Sequence, residues 1–380
     1  MTAKETLAEL VNIDSVSARS NSEIISYLDR RCSTAGLHTH LLSYSDEAGI
    51  EKTNLIAVAG AELSRSPEVE LALVGHTDTV PYDPAWTEAL QLTERDGKLF
   101  GRGSCDTKGF IAAALTAVEN LDLAKLNKPL ALVFTADEEI GCLGAKRLSQ
   151  MRPLTARYAI VGEPTSLQPM RAGKGYCLGE VVVRGREGHS AYPALGTSAI
   201  FRAARLVSRL EKIAEEIKAD QRLEFDPPYT TLNVGLIRGG TAKNIIAGNC
   251  RFTLEWRPVP GQPPTHLLDL LNQAIAAEKK SDPDFACEVN PGRIDGGFDT
   301  ASDSSLVGLL QKLSGREAGT IAFGTEAPQL IELGAEAVVF GPGDIRAAHR
   351  TGEFVAIEEL HRCVAVLTNT IERCCQGFSL

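Results

Sequence analysis

The sequence lacks the features that mark a membrane protein or a disulfide-stabilised secreted protein. No apolar run approaches the roughly 18 residues of a transmembrane helix, and the opening stretch MTAKETLAELVNIDSVSARS contains no long apolar segment typical of a secretory signal. The nine cysteines are an odd number and form no CxxC pair. We therefore expect neither a disulfide framework nor a thiolate zinc site, and we predict a cytoplasmic location.

The sequence also lacks an excess of basic residues. Its 39 Lys and Arg against 49 Asp and Glu give a net charge of −10, which argues against nucleic-acid and anionic-membrane partners. Internal repeats and low-complexity tracts are absent as well. With 380 residues, 43% hydrophobic and 23% charged, the chain is long enough for two globular domains.

Short apolar runs rich in β-branched residues alternate with helical patterns over much of the chain. Helices are predicted at about 2–12, 21–35, 107–121 and 142–151, and strands at 54–60, 69–75, 129–136, 158–162 and 336–341. This alternation predicts an α/β fold with a mainly parallel sheet and helices on both faces.

The middle of the chain has a different pattern. A strand-like stretch, GYCLGEVVVRGREG, precedes a long amphipathic helix at 196–219, two further strands, a helix at about 264–280 and a last strand near FACEVNP. The order β-α-β-β-α-β is that of a ferredoxin-like sandwich. We predict that residues 174–290 form a second domain inserted into a larger one made of 1–173 and 291–380.

Polar residues follow the predicted strands of the larger domain. In open α/β sheets the ligand crevice lies beyond the carboxyl ends of the strands, so these side chains are expected to converge. They are His76, Asp78, Glu138, Glu139, Glu163 and His349, with Asp106 in the glycine-rich loop LFGRGSCDTKGF.

Each of these residues also suits a purely structural role. A lone histidine beyond a strand, such as His76 or His349, is often a surface or capping residue. Asp106 is in a position to cap a helix, Glu138 and Glu139 to begin a solvated helix, and Glu163 to lie in a loop. Their joint placement favours a ligand site instead. Two histidines and several carboxylates without a thiolate are typical of hydrolytic zinc, cobalt or manganese.

A pair of metal ions explains the number of carboxylates, because two ions can share a bridging carboxylate and activate one water between them. In this interpretation Asp106 is the bridge. His76 and Glu163 complete one metal site, and Glu139 and His349 complete the other.

Two residues remain beside these ligands. Asp78 is expected to fix the tautomer and orientation of His76. Glu138 is expected to act as the general base that takes a proton from the bridging water and passes it to the leaving amine.

The segments GHTDTVP, GRGSCDTKG, TADEEIG, VGEPT, GHSAYP and AHRTGEF resemble the dinuclear zinc amidohydrolase family, which includes aminoacylases, succinyl-diaminopimelate desuccinylases and carboxypeptidase G-type enzymes. The resemblance implies the same roles for the five ligands and for Glu138. It also implies two zinc ions per subunit, replaceable by cobalt, and a homodimer with a lid or dimerisation domain.

The segments FGTEAP and VVFGPGDIRAAHRTGEF are most similar to the family members that hydrolyse N-acetyl-L-ornithine to L-ornithine and acetate in arginine biosynthesis. An amine-bearing substrate favours a carboxylate at the pocket wall, and Glu326 is the candidate. A structural loop residue is the alternative for Glu326.

The resemblance also implies roles for three residues of the inserted domain. It implies that His189 stabilises the oxyanion, reaching the active site from the partner subunit in relatives, and that Asn244 and Arg257 make the substrate-carboxylate and oxyanion contacts. An arginine fork suits a carboxylate. Asn244 and Arg257 are equally typical of residues that hold strands or an interface together.

Two other functions compete with this one. The first is hydrolysis of a different N-acyl amino acid or of a dipeptide, and the second is a metal-binding homologue without catalysis. Retention of Glu138 argues against the second. Nucleotide binding by GRGSCDTKG is disfavoured, because the segment lacks Walker spacing and its aspartate suits a metal better than a phosphate.

Overall fold

The computed structural model describes residues 1–60 and 66–377. Within these ranges the chain forms two compact units. Unit 1 contains residues 1–171, 300–319 and 325–377, and unit 2 contains residues 172–299 and 320–324.

The helices and strands follow one another along the chain in an alternating order. The helices are α1 (Ala3–Asn12), α2 (Ser22–Thr34), α3 (Lys108–Glu119), α4 (Leu143–Met151), α5 (Ala199–Glu216), α6 (His266–Ser281), α7 (Ser305–Ser314), α8 (Ala327–Glu332) and α9 (Ile357–Cys375). The strands are β1 (His38–Ser45), β2 (Glu51–Ala59), β3 (Glu68–His76), β4 (Thr93–Arg95), β5 (Lys98–Phe100), β6 (Leu130–Thr135), β7 (Thr155–Val161), β8 (Met170–Gly173), β9 (Tyr176–Arg184), β10 (Gly188–His189), β11 (Thr231–Gly239), β12 (Ile245–Ile246), β13 (Asn249–Arg257), β14 (Ala286–Asp295), β15 (Phe298–Asp299), β16 (Gly319–Ile321), β17 (Glu336–Val339) and β18 (Phe354–Ala356).

Among the described residues, the main sheet has nine strands, and those that lie wholly within unit 1 follow the order β1-β2-β6-β3-β7-β17. Its four central strands, β6, β3, β7 and β17, are parallel, and this confirms the predicted parallel α/β sheet. The edge toward β1 is antiparallel, since β1 pairs with β2 and β2 with β6 in that sense. Because the central strands run the same way, their carboxyl ends share one edge of the sheet.

Burial on both faces explains the apolar character of these strands. Every residue of β6 is buried, and so is nearly every residue of α3. The helix α3 packs between α1 and α9, so it is surrounded by protein on all sides and reads as a continuous apolar stretch. This core fixes the strand ends from which the polar side chains project.

Unit 2 contains a four-stranded antiparallel sheet with the order β11-β13-β9-β14. The chain order β9-α5-β11-β13-α6-β14 is the one that the sequence predicted. Apolar residues of α5 and α6, such as Leu206 and Leu271, form one buried cluster with inward residues of the sheet, such as Val181 and Phe252. The longer segment of unit 2 runs to Asp299 and includes the whole of β14, which ends at Asp295.

Two further observations concern disulfides and membrane-spanning helices. All nine cysteines lie in the described ranges, and none forms a disulfide. Among the helices of those ranges, none combines the length and the apolar character needed to cross a membrane.

Candidate metal centre and active site

His76 is the last residue of β3 and is 1% exposed. Its Nδ1 lies 2.9 Å from the main-chain oxygen of Asp78, and its Nε2 lies 3.1 Å from Oδ1 of Asp106. A carbonyl oxygen only accepts, so Nδ1 carries a proton and Nε2 faces the Asp106 carboxylate. A second proton or a metal cation completes this contact between Nε2 and the carboxylate.

Asp78 contacts His76 through its main chain rather than through its carboxylate. Its main-chain oxygen orients His76, whereas its carboxylate Oδ1 is 3.7 Å from Nδ1 of that ring. The carboxylate accepts hydrogen bonds from the backbone N–H groups of Glu138 at 3.0 Å and Glu139 at 3.2 Å, and from the Ser17 hydroxyl at 2.7 Å. Asp78 therefore holds the turn that carries the glutamate pair.

Asp106 lies between the two histidines. Its Oδ1 is 3.1 Å from Nε2 of His76, and its Oδ2 is 3.0 Å from Nε2 of His349. Burial alone raises a carboxyl pKa, but the hydrogen bonds with His349 and His76 hold the pKa of Asp106 below its usual range. The N-cap of α3 is Thr107, so the capping role considered for Asp106 is wrong.

Glu138 and Glu139 follow the end of β6 at Thr135. Between them and the strand, Asp137 adopts left-handed backbone angles, with φ of +58°, and this breaks the alternation of side chains that a strand would impose. The helix α4 begins only at Leu143, so the helix-start alternative for the glutamate pair is wrong.

The two glutamates have different surroundings. Glu139 Oε1 lies 3.1 Å from Nε2 of His349. Glu138 is buried, and its Oε1 accepts the Cys142 thiol at 3.3 Å. Burial, together with the charges of Glu139 and other neighbouring carboxylates, raises the pKa of Glu138 to about 8. Such a carboxyl is suited to holding and releasing a proton near neutral pH.

Glu163 follows β7 and is 4% exposed. Burial and the negative charges of Asp106 and Glu138 raise its pKa well above the usual range. The preceding Gly162 allows the close packing at this point, because a Cβ there would lie 2.1 Å from Cδ1 of Phe110.

His349 is the most accessible member of the cluster, with half of its side chain exposed. Its backbone is also left-handed, with φ of +56°. Hydrogen bonds with Asp106 and Glu139 raise its pKa to about 10.

The donor set fits divalent metal ions. His76, Asp106 and Glu139 offer ligand atoms that all lie within 4.8 Å of one another. Two atoms bound to one tetrahedral zinc lie roughly 3.3 Å apart at ordinary bond lengths, and the contacts of Asp106 with His76 and His349 are 3.1 and 3.0 Å. The buried carboxylates nearby supply the negative charge that such ions neutralise.

Glu326 is the N-cap residue of α8 and is 1% exposed. Its Oε2 accepts the Thr135 hydroxyl at 2.9 Å, at the end of β6. Its charge also raises the pKa of Glu138. The Glu326 carboxylate therefore lies close to the turn that carries Glu138 and Glu139.

The remaining predicted site residues belong to unit 2. His189 and Asn244 are exposed and lie near the short β10–β12 pairing, where the Ser190 N–H donates to the main-chain oxygen of Asn244 at 3.1 Å. Arg257 is partly exposed, bonds Glu255 at 2.8 Å, and stacks 4.4 Å from the Tyr176 ring centroid.

Several supporting residues escaped the sequence analysis. Glu353 is fully buried, pairs with Arg102 at 2.6 Å, and accepts the backbone N–H of Asp106 at 3.0 Å. Lys52 pairs with Asp137 at 2.8 Å. Three of these residues lie in segments that carry the resemblance, since Glu353 belongs to AHRTGEF, Asp137 to TADEEIG and Arg102 to GRGSCDTKG, whereas Lys52 had no signal.

The chain belongs to peptidase family M20/M25/M40, whose family model matches residues 72–373. It is similar to the acetylornithine deacetylase of Myxococcus xanthus, with 53% identity over 375 residues that cover 98% of each protein.

Solved structures share the fold. An M20 family metallo-carboxypeptidase from Sulfolobus solfataricus superposes with a TM-score of 0.77 at 20% identity, over 97% of this chain and 98% of that one. The YXEP protein of Bacillus subtilis, a dinuclear metal-binding peptidase of the M20 family, gives a TM-score of 0.67 at 13% identity over 98% of both chains.

Proposed function

We propose that this chain hydrolyses N-acetyl-L-ornithine to L-ornithine and acetate, the deacetylation step of arginine biosynthesis. The observation that carries the proposal is the 53% identity to an acetylornithine deacetylase across 98% of both proteins. Membership of a peptidase family supports the reaction class, since both reactions break an amide bond.

Two divalent ions per subunit are proposed as the cofactor, with zinc as the natural metal and cobalt as a replacement. Asp106 would bridge them, because its two oxygens face two different histidines. The other ligands would be His76, Glu163, Glu139 and His349. Nitrogen and carboxylate donors without a thiolate suit either metal.

Bound metal would supply Lewis-acid polarisation of the amide carbonyl and of the attacking water. Glu138 takes the proton of that water and returns it to the leaving nitrogen, a role that its buried position directly beside the proposed ligand Glu139 supports. Asp78 holds the backbone of Glu138, so that the carboxylate stays directed at the reacting atoms.

Substrate contacts are proposed for four residues. Arg257 and Asn244 would contact the substrate carboxylate and the oxyanion, His189 would stabilise the oxyanion, and Glu326 would face the cationic end of ornithine. The guanidinium of Arg257 is partly exposed; its Nε donates to Glu255 at 2.8 Å and its Nη1 to the main-chain oxygen of Ala322 at 3.2 Å, so substrate would have to share or replace these contacts. The His189 Nδ1 accepts the Ala191 N–H at 3.1 Å, which leaves Nε2 as the donor.

We also propose that unit 2 serves as the lid and dimerisation domain of a homodimer. Its edge strand β11 exposes Leu236 and Ile237, and Phe201 of α5 is 73% exposed. Exposed apolar side chains beside an edge strand are typical of an interface between copies. The absence of disulfides among the nine cysteines, all of which lie in the described ranges, supports a reducing compartment, the cytoplasm.

The test is release of free amine from N-acetyl-L-ornithine by metal-stripped protein before and after zinc or cobalt is restored. N-acetylcitrulline, N-acetylmethionine, succinyl-diaminopimelate and a dipeptide are assayed alongside. We expect metal-dependent turnover that is greatest with N-acetyl-L-ornithine. A preference for another substrate would retain the reaction class and change the substrate, whereas two bound metals without any turnover would contradict catalysis.

A further inference from the structure

A buried ion pair lies beneath the turn that carries the two glutamates. The Nζ of Lys52, on β2, is 2.8 Å from Oδ1 of Asp137, and the two side chains are 1% and 0% exposed. Asp137 immediately precedes Glu138 in the chain. The pair is therefore next to the proposed base Glu138 and the proposed ligand Glu139, but neither Lys52 nor Asp137 is itself a base or a ligand in the proposed mechanism.

Lys52 uses all three of its ammonium protons. Besides Asp137, it donates to the main-chain oxygens of Ser17 and Arg19, the latter at 2.8 Å. A lysine ammonium has three donors and no acceptor, so the group is fully satisfied. It ties the loop around Ser17 to the glutamate turn.

Asp137 is held on its other side as well. Its Oδ2 accepts the Tyr44 hydroxyl at 2.9 Å, and the guanidinium of Arg147 stacks 4.1 Å from the Tyr44 ring centroid. Its backbone is left-handed. Aspartate is one of the few side chains that tolerate that conformation.

Ser17 links the Lys52–Asp137 pair to Asp78. The Ser17 hydroxyl donates to Asp78 at 2.7 Å, and Asp78 in turn accepts the backbone N–H groups of Glu138 and Glu139. Two carboxylates, Asp78 and Asp137, therefore hold the turn from two sides, and Lys52 connects them.

Stability alone does not explain this arrangement. Removing two charges from water is costly, and a buried ion pair is often no more stable than apolar residues of the same volume. What such a pair does provide is a fixed geometry, because each charge penalises any conformation that leaves the other unpaired.

We propose that Lys52 and Asp137, with Tyr44 and Ser17, are positioning residues that set the direction of Glu138 and Glu139. The inference rests on the proposed function for the role of Glu138. Loss of Lys52 leaves Asp137 charged and buried near Asp78. Relaxation of the turn then moves Glu139 away from its place in the ligand set and turns Glu138 from the reacting atoms.

The experiment compares Lys52→Met, Asp137→Asn and the double variant Lys52→Met/Asp137→Asn with the wild-type protein. Asparagine keeps the shape of aspartate and tolerates the left-handed backbone. For each protein we measure kcat and KM on N-acetyl-L-ornithine with zinc bound, the affinity for cobalt, the visible spectrum of bound cobalt, and the free energy of unfolding.

We expect Lys52→Met to lower kcat and cobalt affinity by about 10–100-fold, the usual effect of losing a residue that supports ligands. KM should change much less, and the cobalt spectrum should shift. The double variant should regain stability relative to Lys52→Met, since no unpaired charge remains, while its kcat stays low.

A matched control is the ion pair of Arg31 with Glu119, at 2.6 Å and partly buried between α2 and α3. Arg31→Met should reduce stability without changing kcat or the cobalt spectrum. Tyr44→Phe removes one hydroxyl from Asp137 and provides a mild variant if Lys52→Met does not fold. It should lower kcat by a few fold without a comparable change in stability.

Recovery of kcat together with stability in the double variant would overturn the inference, because the pair would then act only on folding. Unchanged kcat and cobalt spectra in Lys52→Met, or in Tyr44→Phe where the former does not fold, would also overturn it. Failure of the proposed function is a separate outcome, namely wild-type protein with bound metals and no turnover. Cobalt affinity and spectra would still test the positioning of Glu139 in that case.

Discussion

The Glu353 carboxylate accepts the backbone N–H of Asp106 at 3.0 Å, and both residues are buried. The same oxygen accepts the N–H of Cys105 at 2.9 Å, and the other oxygen pairs with Arg102 at 2.6 Å. Glu353 lies four residues after His349. The short segment from His349 to Glu353 thus has two contacts with Asp106. His349 faces the Asp106 carboxylate, and Glu353 binds the Asp106 backbone.

Glu353→Gln should weaken metal binding. The glutamine carbonyl replaces one acceptor, but its amide group presents a donor where the Arg102 guanidinium already donates. We expect a loss of about 10–100-fold in zinc affinity, measured by competition with a chelating dye. Glu358→Gln, at an exposed position in the first turn of α9, is the control and should bind zinc normally. Equal affinities for both variants would contradict the role of Glu353.

Glu138→Ala should keep both metals and lose nearly all turnover. The expected loss in kcat is about 10²–10⁴-fold, the typical contribution of a positioned proton-transfer group. Metal content by atomic emission and kcat on N-acetyl-L-ornithine are measured on the same preparation. If metal content falls in step with kcat, Glu138 is a ligand and the assignment of the base is wrong.

Metal removal should lower thermal stability. The cluster brings buried carboxylates together, and a bound cation relieves their repulsion in the folded state alone. Free zinc at 100 times its Kd should add about 2.7 kcal/mol to the free energy of unfolding. Thermal unfolding in zinc-buffered solutions checks this. His76→Ala should show a smaller gain, and an equal gain would place the stabilising metal elsewhere.

Gly162→Ala should disrupt the site through packing. A Cβ at this position would lie 2.1 Å from Cδ1 of the buried Phe110, so α3 or the Glu163 segment must move. We expect a loss of about 1–3 kcal/mol in stability, together with weaker metal binding. Gly308→Ala is the matched control, because nothing lies within 4 Å of a Cβ in that exposed part of α7. It should gain about 0.5–1 kcal/mol. Similar losses in the two variants would contradict the steric argument.

Stability should rise with pH through the titration of Lys108. Burial lowers the pKa of this lysine from 10.5 to about 8, although its Nζ donates to the Ile13 main-chain oxygen at 2.8 Å. Between about pH 8 and 10.5 the unfolded chain carries a proton that the folded chain has lost, so the free energy of unfolding increases with pH. The difference between the two pKa values corresponds to about 3 kcal/mol.

Lys108→Met removes this titration. Urea unfolding of both proteins at several pH values should show wild-type stability rising relative to the variant by about 3 kcal/mol across that interval. Curves that remain parallel would mean that Lys108 keeps an ordinary pKa in the folded protein.

The sequence alone predicts the parallel centre of the sheet, and it predicts that several polar residues lie close together. Strands buried on both faces are continuous apolar runs, as in β6, and parallel strands bring their carboxyl ends together. The edge strand β1 went unpredicted, because none of its residues is buried and no apolar run marks it.

The contacts that support the cluster of histidines and carboxylates could not be predicted from the sequence, for a physical reason. The spacing of His76 and Asp78 indicates that they can interact, but the backbone angles decide whether the carbonyl or the carboxylate of Asp78 meets the ring. A lysine in a strand, such as Lys52, predicts an exposed position. Its burial depends on acceptors that are distant in sequence, namely Asp137 and the main chain near Ser17.

The position of Asp106 between His76 and His349 has a consequence for how the cluster fills. A charge taken up at either histidine changes the electron density and the orientation of one shared carboxylate. If two ions bind as proposed, occupancy at one position would alter the affinity at the other, and by thermodynamic reciprocity the influence would be equal in both directions. The two halves of the cluster would then fill as a coupled pair, and the concentration of free metal at which each half fills would be a property of both.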